Sequence, residues 1–226
     1  MTYRLHIANK NYSSWSLRPW VLLRELGIPF EEHVHPFGQG DSFFAFSPTG
    51  KVPCLHDGDV VVWDSLAIVE YVAESHAGVW PSDARARAWA RCAAAEMHSG
   101  FAELRQRCSM SCGVRVRLRD HPEALARELA RLETLWSEGL QRFGGPFLAG
   151  PTFAAVDAFY APVAFRVQTY GLELGELATA YVRRVLELPA MQQWYADALA
   201  ERWRDTAHDV EIEAAGECVA DLRAGA

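Results

Sequence analysis

Val52-Pro53-Cys54-Leu55-His56, Asp57-Gly58, Val60-Val61-Val62-Trp63 and Asp64-Ser65-Leu66-Ala67-Ile68-Val69-Glu70-Tyr71-Val72 lie within one continuous stretch, and this stretch decides the fold. Two apolar runs flank an Asp-Gly pair, the mark of a hairpin whose type I′ turn needs positive φ at its central residues. Asp64 or Ser65 then caps a helix whose apolar positions recur every three or four residues. A Pro at the second position of the first run removes a ladder donor, which a strand accommodates at an edge, at a bulge or through a cis X-Pro bond. In the cis form the N–H and C=O of Val52 turn outward, where an extended peptide can pair with them.

Toward the N-terminus, Tyr3 to Ala8 alternates as a strand. A polar turn, Asn9 to Ser14, leads into a helix opened by Trp15-Ser16-Leu17-Arg18-Pro19, with Pro19 expected in its first turn and Gly27 and Pro29 as its stop. Phe30 to His35 is a second strand, followed by a Gly/Ser/Phe-rich loop from Gly38 to Thr49. The first eighty residues therefore read β-α-β, then β-β-α. Beyond Pro81-Ser82 the character changes. Trp89, Ala93, Met97, Phe101 and Leu104 form one helical stripe, and Pro122 opens a helix with Leu125, Leu129, Leu132, Trp136 and Leu140 on one face, ended by Gly144-Gly145. Phe153 to Tyr170 is apolar almost all round, as a central buried helix is, and two more helices surround Pro189; no further strand is predicted. With a boundary near Gly78 to Asp83, residues 1–80 form a mixed α/β domain and residues 84–226 an all-helical one.

The 226 residues are 50% hydrophobic and 12% aromatic, enough to bury a core. Lys+Arg 22 against Asp+Glu 29 gives a net charge of −7, so no overall positive field draws nucleic acid or anionic lipid. The start, Met1-Thr2-Tyr3-Arg4-Leu5, lacks a basic segment followed by an apolar one, and no apolar run has the length of a membrane span, which reads as cytoplasmic. Cys54, Cys92, Cys108, Cys112 and Cys218 are odd in number and scattered, as free thiols are.

Two places carry chemistry. Asp64-Ser65 at a helix start combines orphan N–H groups, the positive helix end and a hydroxyl, an arrangement that suits a carboxylate and equally serves as a plain cap. Ser13, Ser14 and Ser16 sit where the first turn meets the first helix, so a hydroxyl there can donate to an anion such as a thiolate. No Cys occupies that turn, so the thiol must come from a ligand. His33 and His35 share a strand face, but no carboxylate or Cys completes a metal set with them. His98 reads as a packed histidine at a cleft edge, and Arg105, Arg115 and Arg117 as a solvated face that can also meet carboxylates.

Taken together, Ser13-Ser14-Trp15-Ser16-Leu17-Arg18, Ser47-Pro48-Thr49-Gly50-Lys51-Val52-Pro53-Cys54-Leu55 and Trp63-Asp64-Ser65-Leu66-Ala67-Ile68, with Phe147-Leu148-Ala149-Gly150 and Asp157 downstream, resemble the cytosolic glutathione S-transferases. The likeness covers nearly the whole chain and is greatest to serine-type (zeta/theta-like) bacterial members. It implies a thioredoxin-like N-terminal domain on a helical bundle. It also implies glutathione as co-substrate, no metal, a homodimer and a detoxifying conjugation of a small hydrophobic electrophile. By the same match Ser13 activates the thiol with Ser14 beside it, while Lys51, Val52, Pro53, Asp64 and Ser65 bind glutathione. The electrophile pocket falls to Trp15, Met97, Phe101 and Arg105. Two alternatives accompany this reading: a glutathione-dependent cis–trans isomerase of the maleylacetoacetate type, and a non-catalytic interaction module of the same fold. Trp15 stands where Cys-type members carry cysteine, which argues against thiol chemistry by the protein itself. Ala154, three residues before Asp157, stands where the family has a capping Ser or Thr, so either Thr152 substitutes with a shifted geometry or Asp157 itself bonds the backbone N–H groups.

Overall fold

A computed structural model describes residues 2–38 and 42–225. Residues 39–41 of the expected Gly38–Thr49 loop lie outside the described residues. Strands β1 (Tyr3–Ile7), β2 (Phe30–Val34), β3 (Cys54–Asp57) and β4 (Val60–Val62) form one sheet in the order β2-β1-β3-β4. β1 and β2 run parallel across helix α1 (Ser14–Glu25), as a crossover connection requires, and the other two pairings are antiparallel. Helix α2 (Ser65–Ala73) follows. Leu5, Ile7, Leu55, Leu17, Val21, Ile68 and Val69 form the core between this sheet and its helices.

Several details differ from the sequence reading. The hairpin turn is Gly58-Asp59 rather than Asp57-Gly58, because Asp57 still pairs with Val60, and Gly58 supplies the positive φ of 61°. Pro19 lies inside α1, past its first turn. The run Val52-Pro53 precedes β3 instead of belonging to it.

The remaining chain is α3 (Ala84–Ser99), α4 (Ala102–Arg107), α5 (Glu123–Arg142), α6 (Ala155–Tyr170), α7 (Glu176–Leu186), α8 (Pro189–Ala200) and α9 (Thr206–Ala215). The stripe expected to run from Trp89 to Leu104 on one helix is broken at Gly100, which ends α3, and at Phe101, whose left-handed φ of 53° starts α4 in a new direction. β5 (Val114–Leu118) and β6 (Gly216–Asp221) pair as an antiparallel ribbon that the reading without further strands does not contain. The alternation Val114-Arg115-Val116-Arg117-Leu118 is its sequence signal, and its partner arrives only a hundred residues later. Helix α6 is buried on almost every side and packs on α1 and α3, so it joins the two parts of the molecule. Asp157 near its start accepts from Leu148 N and Ala154 N, each at 3.0 Å, and from the Tyr181 hydroxyl at 2.9 Å. Burial holds this carboxyl up at about 6, while those three donors pull the other way. The architecture is a thioredoxin-like sheet and helix unit followed by a helical bundle.

Candidate active site

The turn 9–13 is the base of the site, and it is held from the helical side. Lys10 is buried, its ammonium ion-paired with Glu32 of β2 at 2.8 Å and Asp197 of α8 at 2.7 Å, and its carbonyl accepts from Trp194 Nε1 at 2.9 Å. Glu201 accepts from Lys10 N at 2.6 Å and Asn11 N at 3.2 Å. The Tyr12 hydroxyl donates to Asp209 of α9 at 3.0 Å and accepts from Arg223 at 2.9 Å. Burial pushes that phenol up to about 12, so it stays protonated.

These anchors place Ser13 and Ser14 at the N-terminus of α1, where both line a cleft of about 710 Å³. Ser13 donates to Ser16 Oγ at 2.7 Å, and Ser16 Oγ accepts from Ala8 N at 3.3 Å, so the Ser13 proton is engaged within the turn. Among the described residues the Ser14 hydroxyl makes no hydrogen bond, and it sits on the first residue of α1, where the helix end is positive.

An adjoining pocket of about 480 Å³ is lined by Thr49, Lys51, Val52, Pro53, Trp63 and Asp64, and it shares Trp15, Lys51 and Val52 with the larger cleft. The Val52–Pro53 bond is cis, one of the three accommodations open to the sequence, and Trp63–Asp64 is cis as well. Val52 therefore stands outside the ladder that starts at Cys54, with its backbone beside the pocket. Asp64 caps α2 by accepting from Leu66 N at 3.0 Å, and its other oxygen lies 3.4 Å from His98 Nε2. Ser65 is fully buried, and among the described residues its hydroxyl has no hydrogen-bond partner. His98 meets Trp15 edge-on at 5.2 Å, and burial lowers its pKa, so it sits there as a neutral ring.

The helical wall of the cleft consists of Arg105, Gln106, Ser109, Met110 and Arg166, closed by His208 and Glu211 of α9, with Phe37 and Phe43 opposite. Two of the expected electrophile residues are not there. Met97 is fully buried in the core, and Phe101 lines a separate groove with Glu96 and Glu128 on the other side of α4. Both residues belong to a stripe that packs inward, and a stripe does not say which of its members reaches a cavity. Trp15 and Arg105 do line the cleft. Tyr12 is a further donor that the sequence places within reach of this turn, whereas Phe37, Met110, Arg166, His208 and Glu211 are not expected from the sequence, although Arg166 has a signal as the lone basic residue in the apolar run Phe153–Tyr170. Among the described residues no group of three or more His, Cys, Asp or Glu could hold a metal ion, no helix is long and apolar enough to cross a membrane, and all five cysteines are free.

Residues 12–75 match the family model described as glutathione S-transferase, N-terminal domain. A stringent starvation protein A homolog of Haemophilus ducreyi is 23% identical over 76% of this chain and 81% of its own length. Glutathione S-transferase 1 of Dianthus caryophyllus is 25% identical over 77% of this chain and 83% of its own. The theta class glutathione S-transferase of Xanthomonas axonopodis pv. citri, solved with glutathione bound, superposes with a TM-score of 0.63 at 26% identity, covering 86% of this chain and 97% of that one.

Proposed function

We propose a function for a chain that belongs to the glutathione S-transferase family: it binds glutathione and transfers its thiolate to a small electrophile. The γ-glutamyl end lies at Asp64 and Ser65, the cysteinyl backbone pairs with Val52 beside Pro53, and Lys51 receives the glycyl carboxylate. The sulfur then points to the N-terminus of α1. The observation that carries this reading is the Ser14 hydroxyl, unengaged at a positive helix end and facing a cleft continuous with the Val52 and Asp64 pocket. Sequence reasoning put Ser13 first, but the Ser13 proton is given to Ser16, which favours Ser14 as the donor to the thiolate, with Ser13 behind it. In conjugation the sulfur–carbon bond forms, the leaving group departs with its electron pair, and the thiol proton goes to solvent. The working form is a cytoplasmic homodimer.

Conjugation of an aryl chloride tests the reading. Asp64→Ala and Ser65→Ala are expected to raise the KM for glutathione about tenfold while changing kcat less, because each removes binding made alike in ground and transition states. An unchanged KM in both variants defeats the assignment. A second reading, a protein of this fold without turnover, draws support from the similarity to the stringent starvation protein A homolog. Glutathione binding without conjugation of any aryl chloride would favour it.

A further inference from the structure

Four cations gather in and beneath the cleft, and among the described residues none of them is ion-paired with a carboxylate. Arg105 and Arg166 stand on the helical wall and Lys51 on the opposite one. Arg18, only 1% exposed, lies under Trp15 with its guanidinium 4.1 Å from that ring and 5.0 Å from Phe159. Among the described residues none of the four forms an ion pair, and Arg18 Nε and Nη1 have no hydrogen-bond partner. Arg166 is buried and donates Nε–H to the Cys108 carbonyl at 2.8 Å; Arg105 donates to the His98 carbonyl at 3.2 Å and stacks 5.6 Å from Trp15. The carboxylate lining this cleft, Glu211, accepts from Ser109 Oγ at 2.7 Å, and His208 is paired with Asp205 at 2.5 Å. The cleft is thus positive in a chain whose net charge is −7.

Desolvated guanidinium groups that repel one another are costly unless an anion joins them. Burial, then the neighbouring Arg166 and Arg105, holds Arg18 down at about 9, and burial holds Arg166 down at about 10. In the transferase reading the γ-glutamyl carboxylate of glutathione goes to Ser65 and the start of α2, its ammonium to Asp64, and its glycyl carboxylate to Lys51. Arg105 and Arg166 do not line the pocket of Val52 and Asp64; they line the larger cleft, which Lys51 borders as well.

Resting on the transferase reading above, we propose that the electrophile is itself an acid, a small organic molecule whose carboxylate is received by Arg105 and Arg166 while its reactive carbon faces Ser14. Planar guanidinium forks suit a carboxylate, and the helical wall sets the distance from that anchor to the sulfur. For an aryl chloride of this class the sulfur–carbon bond forms, the carbon–chlorine bond breaks, and chloride leaves with the electron pair.

The test compares chlorodinitrobenzoate with its methyl ester at saturating glutathione, each kcat/KM divided by the uncatalysed rate constant. The acid is expected to be favoured about tenfold or more, and Arg105→Gln or Arg166→Gln to cut that preference about fivefold or more through the KM for the acid, with Arg166→Lys restoring part of it. Equal treatment of acid and ester by the wild-type protein overturns the proposal and leaves the transferase reading standing. A matching rise in the KM for glutathione assigns these arginines to glutathione instead, and also overturns it. Calorimetric binding of dinitrobenzoate, which has no leaving group, needs no turnover. Binding that Arg105→Gln weakens, in a protein that conjugates neither compound, upholds the acid site and defeats the transferase reading. No binding of dinitrobenzoate to the glutathione-loaded protein overturns the proposal.

Discussion

In the proposed mechanism Ser14 works without being a base, since a neutral hydroxyl cannot take a proton at neutral pH. Its contribution is a hydrogen bond that is stronger to thiolate than to thiol. One pKa unit corresponds to about 1.4 kcal/mol, comparable with one charge-assisted bond, so a hydroxyl and the helix end together lower a bound thiol by about one to two units. Ser14→Ala is therefore expected to slow conjugation at neutral pH roughly tenfold, with the loss shrinking in alkali where the thiol ionises unaided. Ser13→Ala should do less, because that hydroxyl serves Ser16. Thiolate absorbance of bound glutathione gives the pKa directly, and one value shared by wild type and both variants would remove serine from the mechanism.

At the scale of elements, the sheet carries an unusual face. His6 of β1 lies between the rings of His33 at 4.9 Å, His35 at 5.1 Å, His56 at 4.6 Å and Phe46 at 4.5 Å, and its Nδ1 is 2.9 Å from His35 Nε2. Arg4 and the three other imidazoles face it, with Glu31 3.2 Å from His33 on the next strand. Burial, then those neighbouring positive charges, pushes His6 down to about 3. A histidine whose folded pKa is depressed from about 6.5 binds fewer protons in the native state, so stability falls as pH drops through that interval. Thermal unfolding near pH 5 should occur at lower temperature than near pH 7, and His6→Phe, which keeps a stacked ring without the charge, should narrow the gap. Identical pH dependence of the two proteins would rule this out. Phe46 belongs to the segment that also brings Phe43 to the cleft, so the same acid response is expected to loosen the cleft wall.

Across the whole molecule, the C-terminal ribbon reaches back to the first turn. Arg223 bonds Asp209 at 2.6 Å, Asp221 at 2.6 Å and the Tyr12 hydroxyl, so the two ends of the chain share one network beside the cleft. Association is the other matter at this scale. Of the run Phe43-Phe44-Ala45-Phe46, Phe43 lines the cleft and Phe46 packs on histidines, which leaves Phe44, 70% exposed, as the apolar group offered to a second copy. Its ring lies against Gly50, where an added Cβ would come within 2.7 Å of it. Light scattering at micromolar concentration is expected to give twice the monomer mass, and Phe44→Ser to shift the protein toward monomer. A wild-type monomer mass would refute the dimer.

The thioredoxin-like order of strands and helices, the caps at Asp64 and Asp157 and the place of Ser13, Ser14, Val52-Pro53 and Ser65 were legible in the chain. Each depends on interactions within a few residues: alternation, helical periodicity, turn chemistry and capping. The β5–β6 ribbon was not, because its strands are separated by about a hundred residues and no local signal in either one names the other as its partner. Nor was the difference between two adjacent serines, of which Ser13 gives its proton to Ser16. The positive cleft is likewise a tertiary product. Arg18, Arg105 and Arg166 come from three different helices of an acidic chain; the packing of α6 against α1 brings Arg166 near Arg18, and the turn of the chain into α4 adds Arg105.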